Sequence, residues 1–284
     1  MGKSLWKPLR TIERHRLTQA RVAAHYASQW LARTARAYIE PKANDSQTNL
    51  GWDGTLGGLA THPLPDGSQL TLRIADLTLR LLGPNESEFS LEDRSDADVR
   101  AWLGSRLNAK GLDPFALDKP LPYDMPASAL ASGGRYQLDE LESALAELSG
   151  WYDNASRALD DVRHQLVARG VRAPPVRCWP HHFDLDTLVY FSARNSDNTR
   201  TMGFGFSPGD EYYDEPYFYV STYPAPAVTT LPALPIGHWH SHDFTAAIVT
   251  AVRILDESDQ GAAVETFLRS AAQMISALSM QAAG

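Results

Sequence analysis

The sequence predicts an α+β fold, a largely antiparallel sheet with long helices packed on it. Three observations lead there. Two long apolar stripes recur at helical spacing, within 11–39 and 138–166. Strand-forming runs broken by short turn signals cluster in two places, at 54–92 and at 178–226. The order helix, strands, helix then occurs on both sides of a Pro/Gly-rich connector at 112–135, within a single domain spanning 1–284. The element order suggests two related halves, 11–111 and 136–284, although no residue-level repeat accompanies it.

Ala20, Ala24, Ala27, Leu31, Thr34 and Tyr38 line one face of the first helix, which Pro41 stops. A polar loop follows, in which Asp45 is a candidate ligand-binding carboxylate. Leu70, Leu72 and Ile74 alternate with polar residues; after Asp76 the parity changes to Leu77, Leu79 and Leu81. Side chains alternate with period two in a strand, so the change predicts a reversal or bulge near Asp76 rather than one helix. Ser95 with Asp98 reads as a capping box for a helix over 96–109, and Gly111 lies past its end. The long stripe from Leu138 to Leu166 ends at Gly170 and Pro174-Pro175. It is the strongest helix signal, and its heptad spacing permits a homodimer contact.

The second strand cluster carries the chemistry-bearing residues. If 181–186 is extended, His182, Asp184 and Asp186 share one face and His181, Phe183 and Leu185 the other. Asn195–Asn198 reads as a hairpin turn. Tyr217, Tyr219 and Tyr223 share a face, with Phe218 and Val220 opposite, as expected of a central strand. His238, His240 and His242 fall on one face of a short edge strand that Ala246–Val249 continue. A last helix, capped by Asp256 or Ser258, carries Val264, Phe267, Ala271, Ile275 and Leu278.

The chain has 284 residues and a net charge of −8, with no basic excess to neutralise phosphates, so a general nucleic-acid binder is not expected. No apolar run is long enough to span a bilayer, and the N-terminal segment lacks a signal peptide's apolar core, so a cytoplasmic protein is expected. Cys178 is the sole cysteine, which rules out intrachain disulfides and thiolate zinc sites; it reads as a buried, inert thiol.

Three functional readings follow. The first is binding of a small organic molecule in an aromatic-lined cavity between sheet and helices, with Asp45, Tyr217, Tyr219 and Glu215 as ligand-binding residues. The second is an acid–base or metal-dependent enzyme. In it His182 and Asp184 move protons, and His181, His182, His238 and His240 hold zinc or another divalent metal. The third is a structural or partner-binding protein using the 138–166 helix. Asp210, Glu211, Asp214 and Glu215 form a carboxylate cluster that reads as a solvated loop rather than a calcium site. No nucleophile elbow, dinucleotide fingerprint, phosphate loop or helical zincin motif is present.

Phe183-Asp184-Leu185, Gly205-Phe206-Ser-Pro-Gly209, Glu215-Pro-Tyr-Phe-Tyr219 and Tyr223-Pro224 together resemble an uncharacterised bacterial family, domain-of-unknown-function family 5996. The strand cluster at 70–92 and the C-terminal helix fit the same pattern. At His181-His182 the chain departs from the family's Gly-Ser pair. The resemblance implies an α+β fold and carries no activity, cofactor or catalytic residue.

Overall fold

The computed structural model describes residues 6–10, 13–191, 200–226 and 231–281, with side chains as far as 274. The predicted turn at Asn195–Asn198 and the stripe positions Ile275 and Leu278 lie outside what is described. The chain divides into two compact units. An N-terminal unit comprises Ile12–Asp153 with Arg177–Phe183, and a C-terminal unit comprises Met1–Thr11, Asn154–Val176 and Asp184–Gly284. The architecture is α+β, with antiparallel strands throughout. No described helix is long and apolar enough to cross a membrane.

In the N-terminal unit, α1 (Arg14–Tyr38) carries the predicted Ala20, Ala24, Ala27 and Leu31 stripe, all fully buried. Burial then spreads around the whole helix between Ala23 and Ala32 and takes in His25, Ser28 and Gln29. A helix enclosed on all sides must satisfy its polar side chains internally. Ser28 therefore donates to the His25 carbonyl, and Gln29 and His25 both reach the Pro180 carbonyl.

The antiparallel sheet of this unit runs β1 (Gly51–Asp53), β2 (Gly58–Ala60), β3 (Gln69–Arg73), β4 (Thr78–Leu82) and β5 (Ser87–Ser90) in chain order. The parity change near Asp76 is a hairpin: Leu70 pairs with Leu81 and Leu72 with Leu79, and all four leucines are buried. Leu77 closes the turn at φ +45°. The capping box of α2 (Asp96–Asn108) forms as expected, with Ser95 and Asp98 each accepting from the other's backbone amide. The short strand β6 (Arg177–Trp179) bridges back to Leu50 through Cys178, whose thiol is buried.

The long helix α3 (Glu142–Ala168) spans ~40 Å at 1.5 Å per residue. It begins later than its stripe predicts. Leu138 and Leu141 are buried in a preceding turn, where the Leu138 amide is claimed by Glu92 and so does not enter a helical ladder.

In the C-terminal unit the strands β7 (Asp184–Tyr190), β8 (Thr201–Ser207), β9 (Tyr217–Tyr223), β10 (His238–His240) and β11 (Ala246–Thr250) lie in the order β10-β11-β9-β8-β7. β10 does not continue into β11 as expected. The chain reverses at 241–245, with Asp243 at φ +65°, and the two strands pair antiparallel. His242 consequently leaves the face that His238 and His240 share and sits exposed in the turn, paired with Asp243.

Phe204, Phe206, Phe218, Val220, Ala247 and Val249 point to one face of this sheet and are buried. The last helix, α5 (Gln260–Gln281), packs against β9 and β11 with Val264, Phe267, Leu268 and Ala271 buried. Burying each large side chain in such a layer contributes ~1.5–3 kcal/mol. Asp259, rather than Asp256 or Ser258, caps α5, its carboxylate accepting from the Ala262 amide. The preceding α4 (Ala251–Leu255) starts at a Val252 amide bound by Glu215.

Candidate functional site

The sequence-predicted residues separate into two groups, one in each unit. In the N-terminal unit a cavity of about 370 Å3 opens beside α1 and the end of β6. Trp179, Tyr123, Pro122 and Pro180 supply flat apolar walls, and Arg36, Asn44, Asp45, Thr48 and His181 supply polar groups. α1 presents Ala32 and Arg36, one helical turn apart, and the small alanine leaves the space.

Gln29 fixes two of these walls at once. Its Oε1 accepts from the Tyr123 hydroxyl at 2.8 Å, and its Nε2 donates to the Pro180 carbonyl at 2.8 Å. Burial pushes the Tyr123 hydroxyl well above the usual phenol range, so it stays a neutral donor. Partial burial, reinforced by the neighbouring His182, lowers the His181 imidazole, leaving Arg36 as the positive charge in the lining at neutral pH. Among the described residues no carboxylate pairs with Arg36. Asp45 sits exposed at φ +52°, with its main-chain carbonyl bonded to the Thr48 hydroxyl and amide.

His181 and His182 do not lie on a strand. Residues 180–183 form a turn in which the His182 and Phe183 amides bond to the Trp179 carbonyl, and Phe183 adopts φ +59°. The strand begins only at Asp184. The expected same-face relation of His182 with Asp184 is therefore absent. The cause is the buried Phe183, which stacks on His25 and packs on Tyr152, and whose carbonyl accepts from the Tyr152 hydroxyl. Packing of that ring wins over local strand propensity.

In the C-terminal unit the sheet register places Asp184, Asp186, Gly205, Ser207, Tyr217, Tyr219, His238 and His240 on the face opposite the phenylalanine layer. Tyr219 pairs across the sheet with Gly205, and its ring lies over that glycine; a Cβ at 205 would fall inside the ring. The flat ring thereby reaches a second strand, where the Tyr219 hydroxyl donates to Asp184 Oδ2 at 2.7 Å. Asp184 Oδ1 is sealed from solvent and has no hydrogen-bond partner among the described residues. Burial, opposed by the Tyr219 bond and aided by the negative charge of Asp210, holds the Asp184 carboxyl above the usual carboxylate range.

Tyr217 donates to Asp210 Oδ2, and Asp210 Oδ1 accepts from the Tyr212 and Tyr213 amides, which fixes the loop. Asp210 thus acts as a loop-ordering carboxylate, and Glu215 as the acceptor for α4. Tyr213 folds over the sheet end and meets both edge histidines, at 2.9 Å from His238 Nε2 and 3.0 Å from His240 Nδ1. Among the described residues no group of three or more His, Cys, Asp or Glu side chains gathers as a metal site.

Asp45, His181, His182, Asp184, Glu215, Tyr217, Tyr219, His238 and His240 are legible as candidates in the sequence, whereas Arg36, Tyr123, Gln29 and Tyr213 are not. Arg36 follows the stripe residue Leu31 by five positions, and nothing in the sequence ties it to Trp179, over 140 residues away. Tyr123 lies in a proline-rich connector that carries no periodicity. Tyr213 lies in a loop whose legible feature is its carboxylates.

Comparison with curated proteins and with solved structures finds no match. A family model described as a family of unknown function, DUF5996, matches residues 21–280. That span takes in both sheets and every motif on which the resemblance rests, and this chain belongs to the DUF5996 family.

Proposed function

We propose that this protein binds a small organic molecule bearing an anionic group, in the cavity beside α1. The observation that carries the reading is an Arg36 guanidinium with no carboxylate partner among the described residues, lining the same cavity as the aromatic rings of Trp179 and Tyr123. A guanidinium presents donors in a fixed fork that suits a carboxylate, and flat apolar walls suit a ring. The volume of about 370 Å3 sits near the lower end of ligand cavities, which favours a compact molecule over a dinucleotide or a peptide. Thr48, Asn44 and Asp45 at the rim add acceptors and a second charge that discriminate among such acids.

The test is a panel of small aromatic carboxylates, benzoate and indole-3-acetate among them, followed by thermal shift and by ligand-observed NMR. Saturable binding is expected for at least one of them. Arg36→Gln weakens it by ~10-fold or more, the scale of one charge-assisted bond. Trp179→Ala removes the apolar wall and abolishes it. Absence of binding by the whole panel, or variants that bind as the parent does, refutes the reading.

A further inference from the structure

We infer that His238, His240 and Tyr213 form a binding site for a divalent transition-metal ion in the C-terminal unit. It is independent of the cavity beside α1. The first observation is convergence: His238 Nε2 and His240 Nδ1 both point at one oxygen, the Tyr213 hydroxyl, from 2.9 and 3.0 Å. Donors at right angles around a metal with bonds of ~2.1 Å stand ~3.0 Å apart, so each imidazole nitrogen already has ligand spacing to the phenol oxygen.

The second observation is the outer support. His240 Nε2 lies 2.6 Å from the His242 carbonyl, which can only accept, so Nε2 carries the proton and Nδ1 presents its lone pair. A carbonyl that fixes the tautomer of an imidazole from behind is the usual second partner of a metal-bound histidine. The third is ring placement. Phe244 stacks on His240 with centroids 4.2 Å apart, and Tyr217 packs on Tyr213 at 5.0 Å, so two of the three donors are held in orientation before an ion arrives.

In the ion's absence the network runs His238 Nε2–H to the Tyr213 oxygen and Tyr213 O–H to His240 Nδ1. Metal entry leaves His240 in its tautomer. It requires His238 to present Nε2 bare, its proton passing to Nδ1 or to water, and Tyr213 to release its hydroxyl proton to water so that its oxygen binds as phenolate; His238 is exposed enough for that exchange. Two imidazoles and one phenol oxygen make a borderline donor set without thiolate, and the remaining coordination positions are open. Affinity follows the general order for such donors, copper(II) tightest, then nickel(II) and zinc(II).

The experiment is calorimetric titration of the full-length protein with copper(II) sulfate and with zinc(II) chloride, after dialysis against chelator. One equivalent of copper(II) is expected to bind, more tightly than zinc(II). His238→Gln and His240→Ala each weaken binding by at least ~10-fold, and so does Tyr213→Phe, since even an outer-shell loss costs that much. His164→Ala, which removes an exposed imidazole on α3 outside the cluster, leaves binding unchanged. Should His240→Ala fail to fold, the exposed His238→Gln variant decides alone. No saturable copper(II) binding overturns the inference. So does binding that survives His238→Gln, that survives Tyr213→Phe, or that falls equally in His164→Ala.

Discussion

Acidification should remove a defined part of the stability of the N-terminal unit through His25. This imidazole is only 7% exposed, stacks on Phe183 and donates from Nε2 to the Pro180 carbonyl at 2.8 Å. Burial lowers it to about 4, a shift that the Pro180 bond opposes and that nearby Arg21, His182 and His181 reinforce. In the unfolded chain the same group titrates near ~6.5. A histidine whose folded value lies below its unfolded one contributes stability that is whole above the unfolded value. That contribution is lost as pH falls from there toward the folded value.

At about pH 4.5 the unfolded imidazole is almost fully protonated and the folded one about a quarter so, a difference worth ~2.5 kcal/mol against folding. Carboxylates titrate in the same range, so the contribution is isolated by comparison with His25→Phe. That variant keeps the stack on Phe183, and Gln29 still donates to Pro180, so no carbonyl is orphaned. Near neutral pH it loses one hydrogen bond, ~1 kcal/mol. Urea unfolding followed by tryptophan fluorescence, repeated between about pH 7.5 and 4.5, should show the parent falling ~2.5 kcal/mol further than the variant, chiefly below about pH 6.5. Parallel curves for the two proteins would refute the assignment.

Two further outcomes test the C-terminal unit. Gly205→Ala drives a methyl into the Tyr219 ring and should cost ~1–3 kcal/mol in urea unfolding, with part of the loss recovered when Tyr219→Ser is added. Asp184 holds its proton more tightly in the folded than in the unfolded state. Its contribution to stability is therefore greatest in acid and is lost as pH rises through its raised value. Asp184→Asn, which cannot ionise, should then gain melting temperature over the parent at about pH 8 and not at about pH 4; a gain of equal size at both would contradict this.

The elements that were legible in the sequence are those in which local pattern and burial agree. The β3–β4 hairpin shows itself because Leu70, Leu72, Leu79 and Leu81 all face one core, so the period-two rule locates the reversal. The capping box of α2 and the alternation of Tyr217 and Tyr219 against Phe218 and Val220 were read for the same reason. Misread places are those where one residue's backbone conformation overrides its neighbours' preference. Phe183 at positive φ turns a predicted strand into a turn, and Asp243 at positive φ turns a predicted continuation into a hairpin. The site residues divide similarly. Strand faces can be read from spacing, so Asp184, Tyr219, His238 and His240 were found. Arg36 and Tyr123 reach the cavity through tertiary packing of distant segments, for which spacing holds no record.

Gln29 has a further consequence. Because one buried amide holds both Tyr123 and Pro180, the two walls of the cavity cannot drift independently of each other or of the helix beneath them. A guest would meet surfaces already ordered during folding, so little conformational entropy remains to be lost on entry. The same rigidity narrows the range of shapes admitted. Relatives that carry a shorter or apolar side chain at this position should tolerate a broader set of guests, each held more weakly.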